Sequence, residues 1–246
     1  MDIATTVATS RLVAQQRAID VTAGNLANMN TPGFRTVRVQ FSDWLSRQTG
    51  TTTPPGERTI AYTQDRATWR DQQPGPLRHT GNPFDIAVTG DGFFTVNTPN
   101  GPRLTRDGRF SLQADGSLVD NAGNAVLDTA GRPIQFSTTD TRISIAGDGT
   151  ISSENGQLAR IGVVQPSDPM QLVAEGGTLF DVKSPTNPVT SPRLVQGAIE
   201  DSNVQPVLEV TRMLDLHRQF EFVTQLVQAE SDRQRDAIDK VLSPGR

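Results

Sequence analysis

The sequence predicts an α+β chain, mainly β. An N-terminal and a C-terminal helix pair as a coiled coil, and an antiparallel β domain lies between them. Three observations carry this. Apolar residues recur at helical spacing only near the two ends. Glycine-containing turn pairs cut the middle into strand-length runs. Hydrophobic residues make up 35% of 246 and aromatics 5%, against roughly 45–50% apolar, glycine included, in an ordinary globular protein. A chain with so little to bury per residue is elongated, partly disordered as a monomer, or completed by partners. The expected divisions are 1–35 (helix and turn), 36–74 (irregular connector), 75–200 (β domain) and 201–246 (second helix).

In the first helix, one apolar line runs Ile3, Val7, Ala14, Ala18, Val21, and a neighbouring line runs Ala8, Leu12, Ile19, Leu26. Steps of three, four and seven place both on one broad stripe. Gly24 weakens the last turns by about 1 kcal/mol relative to alanine. The helix should stop near Asn28, because Thr31-Pro32-Gly33 follows. Proline disfavours helical geometry in the residue before it, and Pro-Gly suits the centre of a type II turn. Gly33 is therefore expected at positive φ.

Residues 42–75 are polar and read as irregular, with Thr49 to Pro55 a loop or extended connector. From Gly75 to Gly197 come turn pairs such as Asn100-Gly101, Asp107-Gly108, Asp115-Gly116, Asp148-Gly149 and Asn155-Gly156. They bound short runs such as Phe93–Val96, Leu118-Val119 and Ile143–Ile145, which is the pattern of antiparallel hairpins. Ser202-Asn203 is a suitable helix cap, and Pro206 fits a first turn, where its missing N–H is no loss. Met213, Leu216, Phe220, Val223 and Val227 then form a 3-4 seam, resumed at Ala237 and Val241. Val210, Leu226 and Ile238 widen that stripe beyond a two-stranded seam. It serves either helix pairing alone or packing against other chains, and the extra width favours the latter.

Composition excludes several classes. A net charge of -4 offers no basic footprint for nucleic acid or an anionic membrane. Without cysteine there is no disulfide, thiolate metal site or cysteine nucleophile. His79 and His217 are too few for a multi-histidine metal centre. No run approaches the roughly 18–20 apolar residues of a membrane span. Met1-Asp2-Ile3 opens without the basic region of a cleavable signal, leaving an uncleaved export route open. No EF-hand spacing, nucleophile elbow, Walker loop, dinucleotide fingerprint or zinc-protease helix occurs. Asp65, Asp71, Asp85 and Asp91 are conceivable as an acid pair for glycan hydrolysis, but nothing sets two of them across a cleft. No enzyme, cofactor, metal or small-molecule substrate is expected.

Longer motifs then carry a resemblance. Asn25-Leu26-Ala27-Asn28-Met29-Asn30-Thr31-Pro32-Gly33-Phe34 closely resembles the N-terminal signature of the axial proteins of the bacterial flagellum, the rod and hook family. The likeness continues through Gly75–Val88, Gly90–Val96 and Leu104–Phe110, and ends at Ile199–Val204 and Arg218-Gln219-Phe220-Glu221. Ile199 stands where leucine is usual, and Met29-Asn30 replaces a smaller pair. Phe220 and the chain length resemble a proximal-rod member more than the distal one, which usually carries tyrosine there. The resemblance implies a non-enzymatic subunit of the periplasmic rod, which transmits torque from motor to hook. It implies helices joined near the rod axis, ordering on assembly, and export by the flagellar type III apparatus without a cleaved signal. Its partners would be copies of itself and other rod proteins. On this reading Ile3, Val7, Leu12, Ile19, Asn25, Leu26, Asn28, Thr31, Pro32, Gly33, Phe34, Asn203, Val204, Met213, Leu216, Phe220, Val223 and Val227 form the assembly interface. The rivals from other classes are a periplasmic glycan hydrolase and a coiled-coil adhesin or scaffold.

Overall fold

Residues 3–47, 59–137, 139–168, 171–176 and 178–242 are described by the computed structural model. They form two compact units. One comprises Met1–Ala27, Val37–Asp71 and Gln205–Arg246, and the other Asn28–Thr36 and Gln72–Val204.

The first unit holds the helices. Helix α1 spans Ile3–Ala27 and α2 spans Pro206–Leu242. At a rise of 1.5 Å per residue, α2 is about 55 Å long, well beyond the roughly 40 Å of α1. The two helices pack together. Strands β1 (Val37–Arg47) and β2 (Thr59–Arg70) pair antiparallel beside α1, with a register shift at Gln40/Phe41. This corrects the irregular connector expected over 36–74. Val37, Val39 and Phe41 alternate with Arg38 and Gln40 as a strand with one apolar face does; the polar residues that follow hid the pattern. The loop expected at Thr49–Pro55 lies outside the described residues.

The second unit is the β domain. All its strand pairings are antiparallel, among them β3 (Leu77–His79), β4 (Ile86–Thr89), β5 (Phe93–Thr98) and β6 (Gly101–Thr105). β5 and β6 sit centrally in a nine-stranded sheet. Ile86, Phe94, Val96, Phe110, Leu118 and Ile161 anchor the core, each at most 2% exposed. Phe94 and Phe110 meet edge to face, 5.1 Å between centroids. A smaller cluster of Phe93, Leu104 and Phe180 lies apart from that core. Residues 28–35, expected with the first helix, belong to this unit together with Thr36. The glycine turns fall at strand ends as expected, Asn100-Gly101 between β5 and β6 being one.

A three-stranded sheet joins Ser144–Ile145, Thr150–Ser153 and Gly156–Arg160. Glu154, at its hairpin turn, accepts hydrogen bonds from the Thr141 amide (2.9 Å), the Thr141 hydroxyl (2.6 Å) and the Arg142 amide (3.0 Å). Those donors, the Thr141 hydroxyl first, lower its pKa from 4.5 to about 2. A carboxylate with a depressed folded-state pKa stabilises fully above its unfolded value and loses that contribution as pH falls through the folded one. Stability should therefore drain from this sheet between pH 4.5 and about 2. Glu154→Gln should flatten that part of the acid-denaturation curve while lowering stability at neutral pH. Urea melts at stepped pH test this; superimposable acid limbs would refute it.

Candidate functional site

Two clusters of buried side chains gather the residues singled out by the sequence, one in each unit.

The first lies along the helix pair. Ala14, Gln15, Ile19, Thr22 and Asn25 are the buried positions of α1. On α2 the inner face runs Glu209, Met213, Leu216, Phe220, Val223 and Val227, with Glu209 and Val223 buried and the rest half-buried. This is the 3-4 seam expected from the sequence, begun one step earlier by a carboxylate. Glu209 is compensated where it sits: Arg38 Nη1 lies 2.6 Å and Asn25 Nδ2 3.2 Å from its oxygens. Asn25 also donates to the Val37 carbonyl (2.9 Å) and accepts from the Val37 amide (2.8 Å), so one side chain fixes where the chain returns to β1. Gln15 Nε2 donates to Gln219 Oε1 at the outer limit of hydrogen bonding, 3.5 Å.

Away from this inner face α2 also carries exposed apolar residues among polar ones. Val207 is 78%, Leu214 54%, Phe222 68% and Leu226 56% exposed. Of the widening residues named from sequence, Val210 and Leu226 are exposed, on opposite flanks of the inner face, and the side chain of Ile238 is outside the described set.

The second cluster seats the turn at 28–36. The Phe34 amide donates to the Thr31 carbonyl (3.2 Å), and Gly33 has φ 67°, the geometry expected for Thr31-Pro32-Gly33. The Gly33 amide donates to the Glu200 carbonyl (2.8 Å). Its Cα lies against the backbone of Arg106 and Asp107, where a Cβ would come within 2.4 Å of a carbonyl carbon. Asn203 works as a second clamp: its Oδ1 accepts from the Thr36 amide and hydroxyl, both 2.7 Å, and its Nδ2 donates to the Gln73 carbonyl at 2.8 Å. That replaces the helix-cap role expected for Ser202-Asn203, because α2 starts only at Pro206. Pro32, Phe34 and Val204 are buried, while Asn28 and Thr31 are half-buried.

Beneath the turn lies a buried charge network. Glu200 faces Arg35 Nη2 at 3.0 Å and Arg106 Nε at 3.1 Å, and its Oε1 accepts from the Gly75 amide at 3.1 Å. The Arg106–Glu200 contact is an ion pair without hydrogen-bond alignment. Arg106 also donates to the carbonyls of Gly90 (2.7 Å) and Gly92, and lies over the Phe93 ring. Burial pulls its pKa down and the charge of Glu200 pushes back. The motifs 33–36, 75, 90–93, 104–108 and 199–203, scattered in sequence, thus meet at one carboxylate. Removing one partner of such a buried group strands the others, at about 3–5 kcal/mol. The sequence does not single out Arg35, Arg106 or Glu200; the only signal is that Arg106 and Glu200 fall inside the motifs and Arg35 follows one directly.

The remaining candidates scatter. His79 and His217 are exposed, on β3 and α2. Asp85 is buried and accepts from Asn82 Nδ2 (3.1 Å), Asp91 is exposed, Asp71 is half-buried, and the side chain of Asp65 lies outside the described set. The side chain of Ile3 is likewise outside it; Val7, Leu12 and Leu26 are half-buried. Among the described residues no group of histidines and carboxylates is arranged to hold a metal ion, and no helix is long and apolar enough to cross a membrane.

Comparison with known proteins follows the same segments. The family model described as "Flagella basal body rod protein" matches residues 6–35. "Flagellar hook protein FlgE/F/G D1 domain" matches 87–153, and "Flagellar basal body rod FlgEFG protein C-terminal" matches 195–240. The chain is 33% identical over 245 residues to the flagellar basal-body rod protein FlgF of Caulobacter vibrioides, covering 98% of each. It is 35% identical to the FlgF of Mesorhizobium japonicum, covering 94% of this chain and 95% of that one. To the FlgG of Borreliella burgdorferi it is 30% identical, covering 92% and 93%.

Proposed function

The chain belongs to the flagellar rod and hook protein family, and from that premise we propose that it is a structural subunit of the basal-body rod, of the FlgF kind. It polymerises with copies of itself and other axial proteins and transmits torque from motor to hook. It catalyses nothing. Its helices pair as a coiled coil near the rod axis. It reaches the periplasm through the flagellar type III apparatus without a cleaved signal.

The observation that carries this reading is the set of exposed apolar side chains on α2 away from its inner face. Leu214, Phe222 and Leu226 are more than half exposed on a helix whose inner side already packs on α1. Apolar surface of that extent on a long helix marks a partner's place. Met213, Leu216, Phe220, Val223 and Val227 hold the pair together, and Asn28 and Thr31 lie at the half-buried edge of the seated turn. Asn25, Pro32, Gly33, Phe34, Asn203 and Val204 serve assembly by shaping the subunit, since their contacts are internal.

The test is a deletion of the gene in its own bacterium, complemented with a tagged chain. The deletion should abolish motility, and the tagged chain should restore it and co-purify with basal bodies. A motile deletion strain, or basal bodies free of the tagged chain, would overturn the reading.

A further inference from the structure

We propose that Phe222 of one subunit inserts into a pocket of a second copy of this chain, with Glu221 beside it closing on Arg38 and Arg212. The proposal rests on the rod reading and names the contact through which copies join.

The pocket lies within the helical unit and holds about 210 Å³. Its walls are Ala18 and Val21 of α1, Val39 of β1 and Leu216 of α2, and Arg38 and Arg212 stand in its lining. At about 30 Å³ per water, that is room for roughly seven waters, or one large side chain, but not for a helix. Both guanidinium groups have capacity left. Arg38 and Arg212 each approach Glu209 through Nη1, at 2.6 and 3.8 Å, and each carries five N–H donors. Arg212 is 52% and Arg38 28% exposed at the side chain. A mixed cleft that joins aliphatic walls to two accessible arginines fits an apolar side chain next to a carboxylate.

The same chain presents that pair on another surface. Phe222 is 68% exposed. Glu221 is exposed and makes no ion pair among the described residues. At 100° per residue, Phe222 lies about 120° around α2 from Leu216, so it cannot fold back into its own pocket. Knob and pocket are different patches of one molecule. Contacts of that kind build a ring where the rotation closes and an open helical array where it does not, and a rod needs the second.

The experiment is a charge exchange in the complemented deletion strain, reading the tagged full chain in purified basal bodies. Glu221→Arg alone and Arg212→Glu alone should each lower incorporation about tenfold, the effect of about 1.4 kcal/mol. The two combined should recover to within about threefold. Phe222→Ala should also lower incorporation about tenfold; it removes an exposed side chain and keeps the test decisive should Arg212→Glu disturb α2. Circular dichroism of each purified variant should match the parent. If the parent chain incorporates and Glu221→Arg or Phe222→Ala does so equally well, the docking is refuted while the rod reading stands. Failure of the combined variant to recover, when its circular dichroism matches the parent, refutes it too. If the parent chain itself is absent from basal bodies, both fall.

Discussion

With valine at position 33, the turn at 28–36 should lose its seat on the β unit, and the variant should be non-motile although still exported. Two terms add. A left-handed conformation costs a residue with a Cβ about 1–2 kcal/mol. The new Cβ would also sit 2.4–2.7 Å from the backbone of Arg106 and Asp107, which cannot rotate away as a side chain can. Overpacking of this sort adds about 1–3 kcal/mol. The sum, about 2–5 kcal/mol, should lower the melting temperature of the β unit by about 5–15 °C. Alanine already meets the same overlap and should follow closely. Gly24 gives the control: nothing lies within 4 Å of its Cβ position, and it sits inside α1. Gly24→Ala should stabilise by about 0.5–1 kcal/mol. Equal melts for Gly33→Val and the parent would show that the turn is not held as described.

Phe220→Asp should abolish incorporation into the rod and leave the melting of the β unit unchanged. Phe220 is half-buried on the inner face of α2, one turn from Val223, which is 6% exposed. Losing its apolar burial costs about 1.5–3 kcal/mol, and a carboxylate there also loses hydration. His217→Ala, at an exposed position of the same helix, should be silent. Basal-body assays beside thermal melts separate the outcomes. Normal assembly of Phe220→Asp, or a collapsed β unit, would mean that this face of the helix serves another surface.

The helices were legible because a 3-4 apolar pattern has one reading over twenty residues or more. The start of α2 at Pro206 and the turn at Gly33 followed from proline and glycine chemistry. The β1–β2 ribbon was not legible. Its alternation is clean only at Val37–Phe41, and its cross-strand partners stand some thirty residues away, Val37 opposite Arg70. The seat of the turn was hidden for a similar reason. Glu200 reads as one more charge in a polar tail until folding brings Arg35 and Arg106 to it. Asn203 looked like a cap because asparagine before a helix commonly is one; its amide instead found Thr36 and Gln73.

The seat at Glu200 also sets an order of events. Thr36 and Asn203, the two ends of one clamp, are 167 positions apart. Closing so long a loop carries an entropy that grows with its logarithm, and contacts of this separation form late. As the chain emerges from its N-terminus, the local hairpins at β5–β6 have their partners at once. Residues 28–36 must wait until 198–203 arrive, because their acceptors at Glu200 and Asn203 do not yet exist. The turn at 28–36 should therefore be among the last parts of the β unit to close, and that unit is completed only when nearly the whole chain is present.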